Sequence, residues 1–130
     1  MLLSISDQDP RPVYVQIVNQ IKEQIHRGEL KSGDELPSIR ELASSLGINM
    51  HTVRHAYNIL RDQKLVVFRL GQQAKVARLR SQPASSEEIA SIIEKRLQEL
   101  LTEAFFLGLS PDDFKSLVDK QINKLKEQSQ

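Results

Sequence analysis

Apolar residues recur at helical spacing over residues 13–27, where Val13, Ile17, Ile21 and Ile25 stand four apart with Tyr14 and Val18 beside them. Residues spaced this way share one face of a helix, so the segment predicts an amphipathic helix with its stripe in a core. Arg11-Pro12 precedes it, in a place where proline is tolerated, and Gly28 follows where a helix commonly closes in a left-handed residue. Residues 31–37, Lys-Ser-Gly-Asp-Glu-Leu-Pro, have the composition of a turn. Ser38 and Glu41 then form a capping box, the hydroxyl and the carboxylate satisfying opposite backbone donors. They open a short helix that points Ile39, Leu42, Ala43 and Leu46 inward and ends at Gly47. Asn49 is placed to cap a third helix, with Val53, Ala56, Tyr57 and Leu60 inward and His51, Arg54, His55 and Asn58 outward. Two helices joined by a tight glycine turn, the second displaying polar side chains, make a helix-turn-helix pattern.

The period changes after the third helix. Residues 65–68 and 74–79 lean towards strand and are separated by Leu70-Gly71-Gln72-Gln73, which reads as a hairpin. Three helices followed by a hairpin predict a winged helix-turn-helix over residues 1–80. Residues 81–84 read as a linker, and Ser85 with Glu88 forms a second capping box at the start of a helical tail over 85–130. The tail carries Ile89, Ile92, Ile93, Leu97, Leu100, Leu101, Ala104 and Phe105 on one broad stripe and stops at Gly108. Ser110-Pro111-Asp112-Asp113 restarts a helix striped by Phe114, Leu117, Val118, Ile122 and Leu125. The expected fold is mainly α with a small β-hairpin.

Composition narrows the setting. Hydrophobic residues make up 39% and charged ones 27% of 130 residues, ordinary for a globular chain. There is no cysteine, hence no disulfide, thiolate metal site or cysteine nucleophile. No apolar run is long enough to span a bilayer, and the first residues lack the basic-then-apolar pattern of an export signal, so a cytoplasmic location is expected. The formal net charge of +1 names no partner, but its distribution does. Residues 1–82 hold twelve basic and eight acidic side chains, a net of +4, whereas 83–130 hold six and nine, a net of −3. Between Leu36 and Arg80 eight basic residues face only Glu41 and Asp62. A basic segment joined to an acidic one suggests nucleic-acid contact by the first, although a charged run can also be no more than a solvated face.

Pro12, Tyr14, Gln16-Ile17, Ile21, Ile25, Gly28-Glu29-Leu30, Gly33, Leu36-Pro37-Ser38-Ile39-Arg40-Glu41-Leu42-Ala43, Leu46-Gly47-Ile48, Thr52-Val53, Ala56-Tyr57 and Leu60 carry a resemblance. Over about residues 10–79 the chain resembles the DNA-binding domain of the GntR family of bacterial transcription regulators. Leu97 through Leu109, with Glu103-Ala104 and Leu107-Gly108-Leu109-Ser110, is similar to the two-helix C-terminus of the YtrA-like subfamily. There the tail is a dimerisation element, and the 48 residues from Pro83 onward are too few for the effector-binding or aminotransferase domains of other members. The resemblance implies a homodimer on double-stranded operator DNA, acting as a repressor, often of membrane-transporter genes. No cofactor, no membrane partner and no dedicated small-molecule domain are expected.

The resemblance also implies that the helix beginning near Asn49 enters the major groove and that the wing reaches the minor groove. Arg54 can give two hydrogen bonds to guanine O6 and N7. His51 and Asn58 can reach base edges or phosphates, Thr52 sits where phosphate contacts position a helix, and His55 shares the outer face. Arg40 matches the family's DNA-contacting arginine; a salt bridge to a nearby acid is its other reading. The family usually has arginine where this chain has Met50, which can touch a thymine methyl or simply lie over the helix start. In the wing Gly71 is kept, while Gln73 and Lys75 replace a second glycine and an aromatic. Gln72, Gln73 and Lys75 could contact groove acceptors or phosphates.

Catalysis finds little support, since no phosphate loop, nucleophile elbow or His-Glu-x-x-His appears. His51 and His55, four apart, could ligate a metal with a third ligand from elsewhere, but two DNA-facing or solvated histidines are the expected reading, and no metal is expected. A winged helix used only for protein contact is a further alternative, and it would lack a basic reading face. In the tail, Ile93, Leu97, Leu100, Leu101, Ala104, Phe105, Phe114, Leu117, Val118 and Ile122 offer more apolar surface than one hairpin can bury. A symmetric dimer would cover it; packing back onto the winged helix is the other possibility.

Overall fold

Pro12 takes an extended conformation and releases the chain into α1, Val13–His26, followed by α2, Ile39–Leu46, and α3, Met50–Asp62. The structure, a computed structural model, describes residues 1–69 and 73–128. The chain forms two compact units, Met1–Leu79 and Arg80–Gln130.

In the first unit α3 is the central element, packed against α1, α2 and the first strand. Its inward residues Val53, Ala56, Tyr57 and Leu60 are buried with Ile17 and Ile21 of α1 and Leu42 and Ala43 of α2. Fully burying one such aliphatic side chain is worth about 1.5–3 kcal/mol, so the three stripes hold the unit together. Ser38 Oγ accepts the Glu41 N–H at 3.0 Å and starts α2. Gly47, at φ 67°, ends it in the left-handed region, where a side chain would be strained, and turns the chain into α3.

The wing departs from expectation. Strands β1, Val66–Val67, and β2, Lys75–Val76, pair antiparallel with Val66 opposite Val76 and Val67 opposite Lys75, a shorter ladder than the runs 65–68 and 74–79 predicted. A third segment completes it. The Gly33 N–H donates to Val76 O at 2.8 Å, the Val76 N–H to Asp34 O at 2.9 Å, and the Leu36 N–H to Ala74 O at 2.8 Å. Residues 33–36 were expected to be turn only. The turn exists, closed by the Lys31 N–H on Asp34 Oδ2 at 2.8 Å, but the chain then runs along the free edge of β2. A two-stranded ribbon is marginal alone, and this edge pairing satisfies backbone groups it would leave open.

The N-terminal residues hold a second feature that periodicity did not announce. Gln16, Gln20 and Gln24 stand one above another on α1 and pair with an extended arm. Gln16 Oε1 accepts the Ser6 N–H at 3.0 Å while its Nε2 donates to Ser6 O at 3.2 Å and Arg11 O at 3.1 Å. Gln20 repeats the exchange with Ser4 at 3.0 and 2.6 Å, and Gln24 Nε2 donates to Leu2 O at 2.7 Å. Four residues of helix rise about 6 Å and two residues of strand about 6.6 Å, so the two registers match. Leu3 and Ile5 of the arm pack on the core.

In the second unit Ser85 Oγ accepts the Glu88 N–H at 3.2 Å. It caps α4, Ser86–Ile89, which continues through a π-helical segment, Ala90–Glu94, into α5, Lys95–Phe106. The π turn adds a residue without changing apolar content, so the sequence pattern does not reveal it. Gly108, at φ 79°, follows the end of α5, and Ser110 Oγ accepts the Asp113 N–H at 3.1 Å to open α6, Pro111–Gln128. Among the described residues no helix is long and apolar enough to cross a membrane.

Candidate nucleic-acid interface

The outer face of α3 begins with its cap. Asn49 Oδ1 accepts the His51 N–H at 2.7 Å, which fixes the first turn. Arg54 Nη1 lies 3.0 Å from His51 Nδ1. Arginine carries donors only, so a hydrogen bond here requires the imidazole nitrogen to accept. His55 is exposed, but its ring packs on Tyr14 of α1, centroids 4.3 Å apart, on the flank of the face. Thr52 and Asn58 are half-buried beside it, and Met50 is exposed at the helix start.

Arg40 is exposed at the second residue of α2, and among the described residues neither it nor Arg54 forms an ion pair. The two acids within the basic segment are occupied: Asp62 pairs with Arg61 at 3.3 Å, and Glu41 accepts from Gln73 Nε2 at 3.4 Å. Glu41 thus turns its carboxylate to the wing, whereas the capping box had it reach back to the Ser38 backbone. Gln73 and Lys75 are half-buried in the wing, and Gly71 and Gln72 lie outside the described residues.

Arg40 borders an open cleft of about 460 Å³ between the start of α2, α3 and the wing, floored by Tyr57, Phe68 and Ala74. The Tyr57 hydroxyl donates to Pro37 O at 2.7 Å, and burial, helped by the charge of Glu41, pushes its phenol above the usual range. Phe68 lies 6.2 Å from Tyr57, with the Arg61 guanidinium 5.8 Å from its ring centroid. Sequence reasoning passed over this pair; the available cue was one aromatic closing a strand run, with no counterpart among its neighbours. Among the described residues no three His, Asp or Glu side chains gather as a metal site, and His51 and His55 turn to different partners.

The second unit offers a surface of another kind. Ile93, Leu97, Leu100, Leu101, Phe105, Leu117, Val118 and Ile122 are all exposed, Ile93 by 56% and Phe105 by 74%. Ala104 and Phe114, expected on the same partner-facing surface, are instead buried within the single chain. Leu97, Leu101, Pro111, Phe114 and Val118 line an open groove of about 430 Å³.

Residues 13–76 match the model of bacterial regulatory proteins of the gntR family. The chain is 30% identical to the HTH-type transcriptional repressor YtrA of Bacillus subtilis, over 83% of this chain and 82% of that one. A transcriptional antiterminator structure from Listeria monocytogenes superposes with a TM-score of 0.85 at 30% identity, covering 96% of this chain and 92% of the other. The DNA-binding domain of AraR in complex with operator ORX1 is similar over 59% of this chain and 99% of that domain, at 28% identity and a TM-score of 0.53.

Proposed function

Since the chain belongs to the gntR family of bacterial regulatory proteins, we propose that it is a sequence-specific DNA-binding transcription regulator that represses as a homodimer on a palindromic operator. The observation that carries this reading is the pair Arg40 and Arg54, exposed on the helix-turn-helix with no ion pair among the described residues. In this reading α3 lies in the major groove. Arg54 reads guanine there, and Asn49, Met50, His51 and Asn58 lie against base edges or the backbone. Arg40, Thr52 and His55 fix the register on phosphates. The wing, with Gly71, Gln72, Gln73 and Lys75, follows the adjacent minor groove. The AraR domain, which is bound to an operator, supports the docking mode.

The dimer rests on the uncovered stripe of the second unit. Helix-turn-helix dimers read half-sites about one helical turn apart, so a two-fold pair of tails would set that spacing. The YtrA-like resemblance supports membrane-transporter genes as the regulated set and a cytoplasmic site of action.

The test is a mobility shift on DNA upstream of the protein's own gene at about 50 and 200 mM salt. A specific complex that weakens roughly 10³–10⁵-fold between them is expected if six to ten phosphates are neutralised. No complex at either salt overturns the reading and leaves a winged helix that works through protein contacts. Arg54→Ala is expected to relax base preference by about 1–3 kcal/mol at one position of each half-site.

A further inference from the structure

The contact between Arg54 Nη1 and His51 Nδ1, 3.0 Å long, joins two side chains one helical turn apart. We propose that His51 is the positioning residue for Arg54: neutral, it holds the guanidinium in the orientation that reads guanine; protonated, it releases it. This rests on the reading of α3 as the DNA-recognition helix.

An exposed arginine has many rotamers, and only those that aim two parallel N–H groups at O6 and N7 read guanine. A hydrogen bond at one edge of the guanidinium removes much of that freedom before DNA arrives. It occupies one of five donors and leaves the others for the base. The bond also fixes the histidine. With Nδ1 accepting, the remaining ring nitrogen is a donor, so the pair presents donors only. Asn49 holds the His51 backbone from the other side, through Oδ1 on its N–H at 2.7 Å. His51 is thereby anchored at both ends of its residue.

Protonation reverses the arrangement. An imidazolium has no acceptor, so the bond to Arg54 breaks and two cations stand one turn apart. The total attraction to phosphate rises while selection of guanine falls. The other charged groups on this surface are Arg40 of α2, Lys75 of β2 and Glu41 of α2. Glu41 is engaged by Gln73 and does not face His51 with a hydrogen bond. The other histidine of this helix, His55, packs its ring on Tyr14 of α1 away from Arg54, so it is the control.

The experiment uses the full chain and a duplex enriched by the wild-type protein from a randomised library. The same duplex with one guanine per half-site replaced is the comparison, at about pH 8 and about pH 5.5. Wild-type discrimination between the two duplexes is expected to fall roughly threefold to tenfold at the lower pH, the worth of one hydrogen bond. His51→Ala is expected to lose the same factor at both pH values. His51→Asn, whose Oδ1 stands where Nδ1 does and accepts but cannot be protonated, is expected to discriminate alike at both pH values. In an Arg54→Ala background His51→Ala is expected to cost no further discrimination between the duplexes, whatever it costs in affinity for both, and His55→Gln is expected to weaken both duplexes alike while the pH dependence of discrimination remains. Discrimination by His51→Ala equal to wild type, or an undiminished His51→Ala effect without Arg54, overturns the proposal. If Arg54→Ala itself discriminates like wild type, the DNA reading of α3 fails and the proposal falls with it.

Discussion

The two units carry similar apolar stripes and treat them oppositely. Among the described residues the first unit buries fifteen apolar side chains, from Ile17 to Ala77, while the second buries Ala104 and Phe114. The cause is the number of neighbours. The stripe of α3 is covered from three sides, by α1, α2 and β1. In the second unit the stripes are broad, and Leu100, Leu101, Phe105, Leu117 and Ile122 remain exposed. An amphipathic pattern states that a face needs cover; it does not state what supplies it.

The sharpest way to break this contrast is Leu101→Asp. A charge placed on the uncovered stripe would have to be desolvated in the proposed two-fold interface, so the wild type is expected to sediment as a dimer and the variant as a monomer. With the second reading head lost, operator affinity is expected to drop roughly 100-fold to 10,000-fold. Melting of the first unit should hardly change. A variant that remains dimeric would mean that another surface joins the chains.

The reciprocal change is Leu60→Ala. Leu60 has no exposure, and truncation leaves a cavity that packed neighbours only partly fill. The expected cost is about 2–5 kcal/mol of unfolding free energy, independent of protein concentration. A Leu101→Ala variant is expected to lower the melting point in a concentration-dependent way. Equal concentration dependence for both variants would erase the distinction between a closed core and a shared one.

How much of this was legible in the sequence follows the same division. The helices, the caps at Ser38, Asn49, Ser85 and Ser110, and the left-handed turn at Gly47 were readable because they depend on residues within one turn of each other. The inward faces of the first unit's three helices were readable from spacing alone. The edge strand at 33–36 was hidden because Gly33, Asp34 and Pro37 are turn residues, and its pairing to β2 is made by backbone atoms that no side-chain pattern marks. The arm was hidden for the opposite reason: Gln16, Gln20 and Gln24 do recur at helical spacing, but a polar stripe reads as a solvated face. The outer residues of α3 could be named in sequence, yet the His51–Arg54 bond and the turn of His55 onto Tyr14 are rotamer choices, which composition does not set.

The glutamine ladder gives a smaller test of closure. Gln16→Ala removes the partner of the Ser6 N–H and of the Ser6 and Arg11 carbonyls. The expected loss is about 1–3 kcal/mol, with faster hydrogen exchange at the Ser4 and Ser6 amides and none in the second unit. Unchanged exchange at Ser6 would show that Leu3 and Ile5 hold the arm without the ladder.

The smallest effect is a matter of pH. Both tyrosines of the chain lie in the first unit, at 14 and 57, so tyrosinate absorbance reports on that unit alone. Burial raises the Tyr57 phenol above its ordinary value of 10.0, so the folded chain keeps a proton that the unfolded chain gives up. The stabilisation from the neutral phenol is therefore complete below about pH 10 and is lost as pH rises through that value towards the folded one, at up to about 1.4 kcal/mol per pH unit. Tyr57→Phe loses the hydrogen bond to Pro37 O, about 1 kcal/mol near neutral pH, but has no phenol to ionise. Urea unfolding of the two proteins should thus differ at about pH 8 in favour of the wild type, and the difference should shrink and then change sign above about pH 10. A constant difference across that range would mean that Tyr57 ionises as freely in the folded unit as in the unfolded chain, and that the closed core admits water where the second unit's stripe already does.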